Sequence, residues 1–254
     1  MIINDRISKP LGYLDLVFEK RIAYIMLGLI IGLIACSASS TAIDGCKPVE
    51  SGEFDAIGIV TSKECIYYCT GTLIQGNVVL TAAHCFDGSG RKAKFAVDGH
   101  SFEGTVQRYQ NNDLALIILN TDVSKELGIK PIPIAKKSNL KRLKIIGFRP
   151  ISESCEKSSK SSEGQKYKCT FCTKYDEPPG TKHDEPARTV EPCNKGKIAG
   201  INSGDSGAPA LDAKNQIVAI NHGVVKGSKM AILFEINEDE YKWIQSEMKE
   251  ARNT

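Results

Sequence analysis

The chain is short of several things that would have decided its class at once. Its one long uncharged apolar stretch, Ile22 to Ala35, runs for fourteen residues, fewer than the about 20 a membrane-spanning helix needs. Charge of one sign is scarce: the formal net charge is only +3, too little to argue for a nucleic-acid partner. The densest basic cluster, Lys136, Lys137, Lys141, Arg142 and Lys144, has no interleaved aromatics. It reads as a solvated connector and not as a docking patch. Low-complexity sequence is confined to Ser158-Ser159-Lys160-Ser161-Ser162. With 41% hydrophobic and 25% charged residues, the chain is neither disordered nor fibrous. A second CxxC is also missing. Cys169-Thr170-Phe171-Cys172 has only Cys155 and Cys193 near it, which argues against a zinc knuckle, and no βαβ pattern surrounds it to support a redox role.

What the chain does have is cysteine and an export signal. Nine cysteines in 254 residues fit an oxidising compartment. Lys20-Arg21 ahead of the apolar stretch form the charged region and core of a leader spanning residues 1–42. Two processing sites compete within it. Leu33-Ile34-Ala35-Cys36 resembles a bacterial lipobox that would acylate Cys36, whereas Ser40-Thr41-Ala42 has the small-x-small form that leaves Ile43 first. A retained signal anchor is the third reading. Loss or lipidation of Cys36 leaves an even eight cysteines for disulfides.

Downstream, short β-branched runs at Ile57 to Val60, Thr72 to Ile74, Val78 to Leu80, Phe95 to Val97 and Leu114 to Leu119 are separated by Gly, Asn and Asp clusters. That is the pattern of an all-β barrel. Pro131 and Pro133 mark a connector, and a second barrel starts near Lys144-Ile145-Ile146-Gly147. Residues 152–192, rich in Ser, Lys, Glu and Pro, read as loop pinned by cysteines. Ile217 to Asn221 and Met230 to Ile236 supply further strands. A closing helix is N-capped by Asn237, with Glu240 three residues on and a core-facing stripe of Tyr241, Ile244 and Met248.

The chemistry concentrates in three places. Thr81-Ala82-Ala83-His84-Cys85 follows an apolar run, Asn112-Asp113-Leu114-Ala115-Leu116 precedes one, and Gly204-Asp205-Ser206-Gly207 is a glycine-bracketed turn exposing a hydroxyl. A serine is a poor nucleophile until a histidine takes its proton and a carboxylate orients that histidine. His84, Asp113 and Ser206 are the candidates.

In their order and wording these motifs resemble the trypsin/chymotrypsin family of serine endopeptidases, from about residue 43 to the C-terminus. Cys69-Thr70-Gly71-Thr72-Leu73-Ile74 is similar to the family's Cys-Gly-Gly-Ser-Leu-Ile. The resemblance implies two six-stranded antiparallel Greek-key barrels (about 55–130 and 141–236), a helix at 238–252, and an active site between the barrels. It implies a Cys69–Cys85 disulfide; the pairing of Cys46, Cys65, Cys155, Cys169, Cys172 and Cys193 stays open among 15 possibilities. It implies an oxyanion hole from the N–H groups of Gly204 and Ser206, and a buried pair between the α-amino group of Ile43 and Asp205. With an interval of only 29 residues from His84 to Asp113, no calcium-binding loop is expected. The implied partner is a polypeptide substrate, the implied cofactor none, the molecule a monomer, and membrane contact limited to the leader or a lipid on Cys36.

Specificity is read from the same register. The pocket floor falls at Gly200 with Gly223 and Ala231 as walls, and no carboxylate lies between Lys195 and Ser203. An unpaired buried cation is costly, so uncharged P1 side chains of moderate size are expected, with glutamate second because His222, Lys226 and Lys229 are near. Asn221-His222-Gly223 stands where the family has Ser-Trp-Gly. His222 is therefore expected to face the cleft, and His100 and His183 to be bystanders. The competing functional classes are an inactive protease-like binding module and a glutamyl-type endopeptidase.

Overall fold

The computed structural model describes residues 46–62, 68–88, 90–136, 140–150, 164–173, 187–193, 201, 204–226, 228 and 230–253. Thirteen strands and two α-helices order them: β1 (Cys46–Pro48), β2 (Ile57–Ser62), β3 (Tyr68–Gln75), β4 (Val78–Thr81), β5 (Lys92–Val97), β6 (His100–Arg108), β7 (Ala115–Leu119), α1 (Val123–Leu127), β8 (Arg142–Pro150), β9 (Gly164–Thr173), β10 (Ala187–Pro192), β11 (Pro209–Leu211), β12 (Ile217–Val224), β13 (Ala231–Glu235) and α2 (Glu238–Ala251).

Strands β2-β3-β4-β7-β6-β5 close into one barrel, every pair antiparallel. Strands β8-β9-β10-β13-β12-β11 form the second, closed by pairing of β8 with β9 and of β11 with β8. The two rings run in the same relative order, so the second repeats the topology of the first. β1 lies beside β9 at the edge of this second ring, joined to it by the Cys46–Cys169 disulfide. The expected pair of six-stranded barrels with a C-terminal helix is the observed architecture.

The core follows from strand chemistry. Ile57, Leu73, Val78, Val79, Leu80, Leu116 and Ile117 are all fully buried in the first barrel. Their burial, at about 25 cal/mol per Å² of apolar surface, drives its closure. The cluster continues into the second barrel through Ile146, Leu211, Ile217, Ile220 and Phe234. α2 seals this cluster with buried Ile244 and Ala251 and partly buried Tyr241 and Met248. Among the described residues, no helix is long and apolar enough to cross a membrane.

Several expectations need correction. β6 was not anticipated because it is half polar: Phe102, Gly104 and Val106 are buried while Ser101, Glu103 and Thr105 alternate outward. Within the segment read as loop, residues 164–173 and 187–192 are strands. Overall polarity hid a period-two pattern, in which Cys169 and Phe171 are buried between less buried Lys168, Thr170 and Cys172. α1 was missed although it carries both end signals, an Asp122 side chain accepting from the Lys125 N–H and a left-handed Gly128 after it. Arg142, assigned to a solvated connector, belongs to β8, as does Lys144, the expected start of the second barrel; the Lys144 ammonium lies 5.6 Å from the centre of the Phe54 ring.

Candidate active site

After β4 the chain tightens into a 3-10 turn, Ala83–Phe86, in which Cys85 and Phe86 are buried. The Cys69–Cys85 disulfide ties this turn to β3, and His84 is carried between two fixed points with its side chain one-third exposed. Asp113 ends the loop between β6 and β7. Its Oδ1 accepts from the backbone N–H of His84 at 2.7 Å, and its Oδ2 lies 2.6 Å from His84 Nδ1. An ionised carboxylate only accepts, so Nδ1 carries the proton and Nε2 keeps its lone pair.

The loop bearing Asp113 is itself held by α2. Asn112 donates from Nδ2 to Glu240 Oε1 at 2.7 Å, and the other oxygen of Glu240 accepts the Asn237 N–H at 3.1 Å. Tyr109 packs on Trp243 with ring centres 5.1 Å apart. The N-terminal turn of α2 thus clamps the loop, a role that the periodicity of the helix did not disclose.

Ser206 sits in a turn in which three successive carbonyls are hydrogen-bonded to the surrounding strands and turn. Gly204 O accepts from Thr70 Oγ1 at 2.8 Å, Asp205 O from Asn221 Nδ2 and the Ala208 N–H at 3.0 Å each, and Ser206 O from the Thr70 N–H at 2.8 Å. A trans peptide directs its N–H opposite to its carbonyl, so anchoring Asp205 O turns the Ser206 N–H away from the anchor. Gly204 and Gly207 have φ of +100° and +78°, and a Cβ on Gly207 would stand 2.3 Å from Thr81 Oγ1 and 2.4 Å from Thr70 O. Glycine is required at 207 on both counts. Asp205 is buried, its carboxylate so close to Gly147 that a Cβ there would lie 1.9 Å from Oδ1. Ser206 Oγ donates to the carbonyl of His222 at 3.4 Å, and among the described residues no hydrogen bond joins it to His84.

His222 departs furthest from expectation. β12 and β13 change register between Asn221 and Gly223, and this bulge turns the His222 ring inward. Its Nδ1 lies 2.5 Å from Asp113 Oδ2, the oxygen that also meets His84. The His84 and His222 rings stand edge to face with centres 5.1 Å apart, and Phe234 meets His222 at 5.0 Å. Expected only to face the cleft, His222 also contacts the carboxylate of the site. Burial alone would raise the pKa of Asp113, but hydrogen bonds from His222 and His84, with the His84 charge, hold it down to about 2. His100 is exposed and bonded to the carbonyl of Asp98; His183 lies outside the described residues.

Of the other expected site residues, Gly223 borders open space, with nothing within 4 Å of a Cβ built on it. Ala231 is fully buried, paired with Val190 and Val224. Cys36, Ile43, Gly200 and Lys229 lie outside the described residues, as do Cys65 and Cys155. The CxxC is split between two disulfides, Cys46–Cys169 and Cys172–Cys193, which removes its cysteines from any metal site.

Comparison with known proteins gives the family and the fold. The family model described as Trypsin matches residues 43–242. Mouse (Mus musculus) chymase is 27% identical over 215 residues, covering 74% of this chain and 83% of chymase. Among solved structures, a Glu endopeptidase in complex with MPD superposes with a TM-score of 0.59 at 18% identity, over 81% of this chain and 97% of its own. Neuropsin, a serine protease expressed in the limbic system of mouse brain, gives the same TM-score and identity over 80% and 98%.

Proposed function

The chain belongs to the trypsin family of serine endopeptidases, and we propose that His84, Asp113 and Ser206 are the triad with which it hydrolyses peptide bonds. The observation that carries this reading is the double hold of Asp113 on His84, which leaves Nε2 as the base. In this reading Ser206 Oγ exchanges its contact with the His222 carbonyl for one with Nε2. Nε2 takes the hydroxyl proton as Oγ attacks the substrate carbonyl, and Asp113 stabilises the imidazolium without taking the proton. The N–H groups of Gly204 and Ser206 receive the oxyanion, each worth about 3 kcal/mol in the transition state. The imidazolium then protonates the leaving amine, and water attacks the acyl-enzyme by the same route in reverse.

Residues 1–42 are an export leader and residues 43–254 the protease domain, a division supported by the family match beginning at residue 43. Three disulfides among the described residues favour an oxidising, exported location. In the mature chain the Ile43 ammonium pairs with Asp205 and orders the nucleophile turn. N-terminal sequencing of the active species is expected to give Ile43, and a start well before or after it contradicts this reading.

At P1 we favour uncharged side chains of moderate size, entering beside Gly223 and over Gly200. A preference for glutamate is the second reading, favoured by the 40% exposure of the His222 side chain in the cleft and by the shared fold with a Glu endopeptidase. Cleavage of a P1-randomised peptide library separates the two. The triad itself is tested by an organophosphonate probe: an adduct mapped to Ser206 is expected, and no adduct or an adduct elsewhere refutes it.

A further inference from the structure

We propose that His84, Asp113 and His222 also form a site for a borderline transition-metal ion, zinc being the probe of choice, and that its occupation switches the peptidase off. The switching half rests on the triad reading above; the binding half does not.

The argument starts from the donor set. Two imidazole nitrogens and a carboxylate oxygen lie within 4.8 Å of one another. Both Nδ1 atoms already converge on the single atom Asp113 Oδ2, at 2.6 and 2.5 Å. Ligands at 2.0–2.2 Å from a tetrahedral zinc stand about 3.3 Å apart, so these separations must open by roughly 0.8 Å, a movement that small side-chain rotations supply. The rings are 81° apart in plane, so they approach the carboxylate from different directions, as tetrahedral ligands must. Imidazole with carboxylate suits zinc, whereas calcium and magnesium prefer all-oxygen shells.

Outer contacts hold the ligands in place. Asp113 Oδ1 is fixed by the His84 N–H, which leaves Oδ2 for the ion, and the Phe234 ring packs against the edge of His222. The Asp113 side chain is only 11% exposed, while those of His84 and His222 are 33% and 40% exposed. The carboxylate is therefore sheltered and the histidines open the way in. Three protein ligands leave a fourth position for water.

Inhibition follows from the tautomer. A neutral imidazole bound through Nδ1 carries its one proton on Nε2. The Nδ1 proton of His84 moves to Nε2 through solvent as the ion takes its place, and the same exchange occurs on His222. His84 then has no lone pair with which to accept the Ser206 proton. The ion thus blocks proton transfer without touching the nucleophile.

The test uses the exported, processed protein beginning at Ile43, without a polyhistidine tag and stripped with EDTA. Calorimetric titration of the Ser206→Ala protein with zinc is expected to show one site, weakened in both Ser206→Ala/His222→Gln and Ser206→Ala/His84→Gln by more than the about 10- to 100-fold that loss of an outer-shell partner costs. In the enzyme with its serine, zinc should abolish cleavage, EDTA should restore it, and His222→Gln should need more zinc for the same fractional inhibition. No zinc uptake in the millimolar range, or uptake unchanged by both histidine substitutions, overturns the site. Uptake that depends on both histidines but leaves cleavage intact overturns the switch. Because the calorimetry needs no turnover, failure of the peptidase reading and failure of the metal site remain distinguishable.

Discussion

His222 Nδ1 lies 2.5 Å from Oδ2 of Asp113 across 109 residues of chain, joining a strand of the second barrel to a loop of the first. The contact makes one carboxylate serve two imidazoles, and its cost and benefit are both electrostatic. Burial disfavours the charge on Asp113, yet the hydrogen bonds of His222 and His84 outweigh it and bring the group from its ordinary 3.8 to about 2.

A carboxyl with a depressed pKa stabilises the fold only while it is ionised. Its contribution is complete above the unfolded value and is lost as pH falls through the folded one. The margin of wild type over Asp113→Asn is therefore expected to shrink by about 2 kcal/mol as pH falls from 4 to 2. Urea unfolding of both proteins in EDTA across that range measures it. A margin that grows on acidification would contradict the assignment.

Gly207→Ala should disable the site by geometry alone. The new methyl meets Thr81 Oγ1 and Thr70 O at contact distances no real Cβ tolerates, at a φ of +78°, and the turn must move. Strain at such positions is of order 1–3 kcal/mol from the backbone alone. Cleavage and probe labelling of Ser206 are both expected to be lost, and retention of either at wild-type level would show that the turn is not held as described.

Asn112→Ala removes the side chain that links the Asp113 loop to Glu240, a carboxylate 6% exposed. Loss of one partner of a buried polar group costs about 1–3 kcal/mol. The single tryptophan, Trp243, packs on Tyr109 of the same loop, so intrinsic fluorescence reports the unfolding. An unchanged denaturation midpoint would mean that α2 does not clamp the loop.

The parts of the site written in contiguous residues were legible in the sequence. Gly204-Asp205-Ser206-Gly207 encodes its own turn, because only glycine fits where Thr70 O and Thr81 Oγ1 crowd position 207. His84 and Asp113 were legible as motifs bordering apolar strands. The His222 contact was not, since it depends on a register shift in β12 that no local pattern announces. The only available signal was the replacement of the Ser-Trp-Gly expected there. β9 escaped for a different reason: Lys166, Lys168 and Thr170 set its composition, while the alternation of Cys169 and Phe171 sets its fold. The Asn112–Glu240 link joins residues 128 positions apart, and neither carries a mark of the other.

The triad is tested most directly by the turnover of Ser206→Ala against wild type on one peptide substrate, with circular dichroism on both. The change deletes one oxygen from a turn held by its carbonyls, so the spectrum should be unchanged while kcat falls by a factor on the order of 10⁶. Turnover in the variant comparable with wild type would contradict the assignment of Ser206 as the nucleophile.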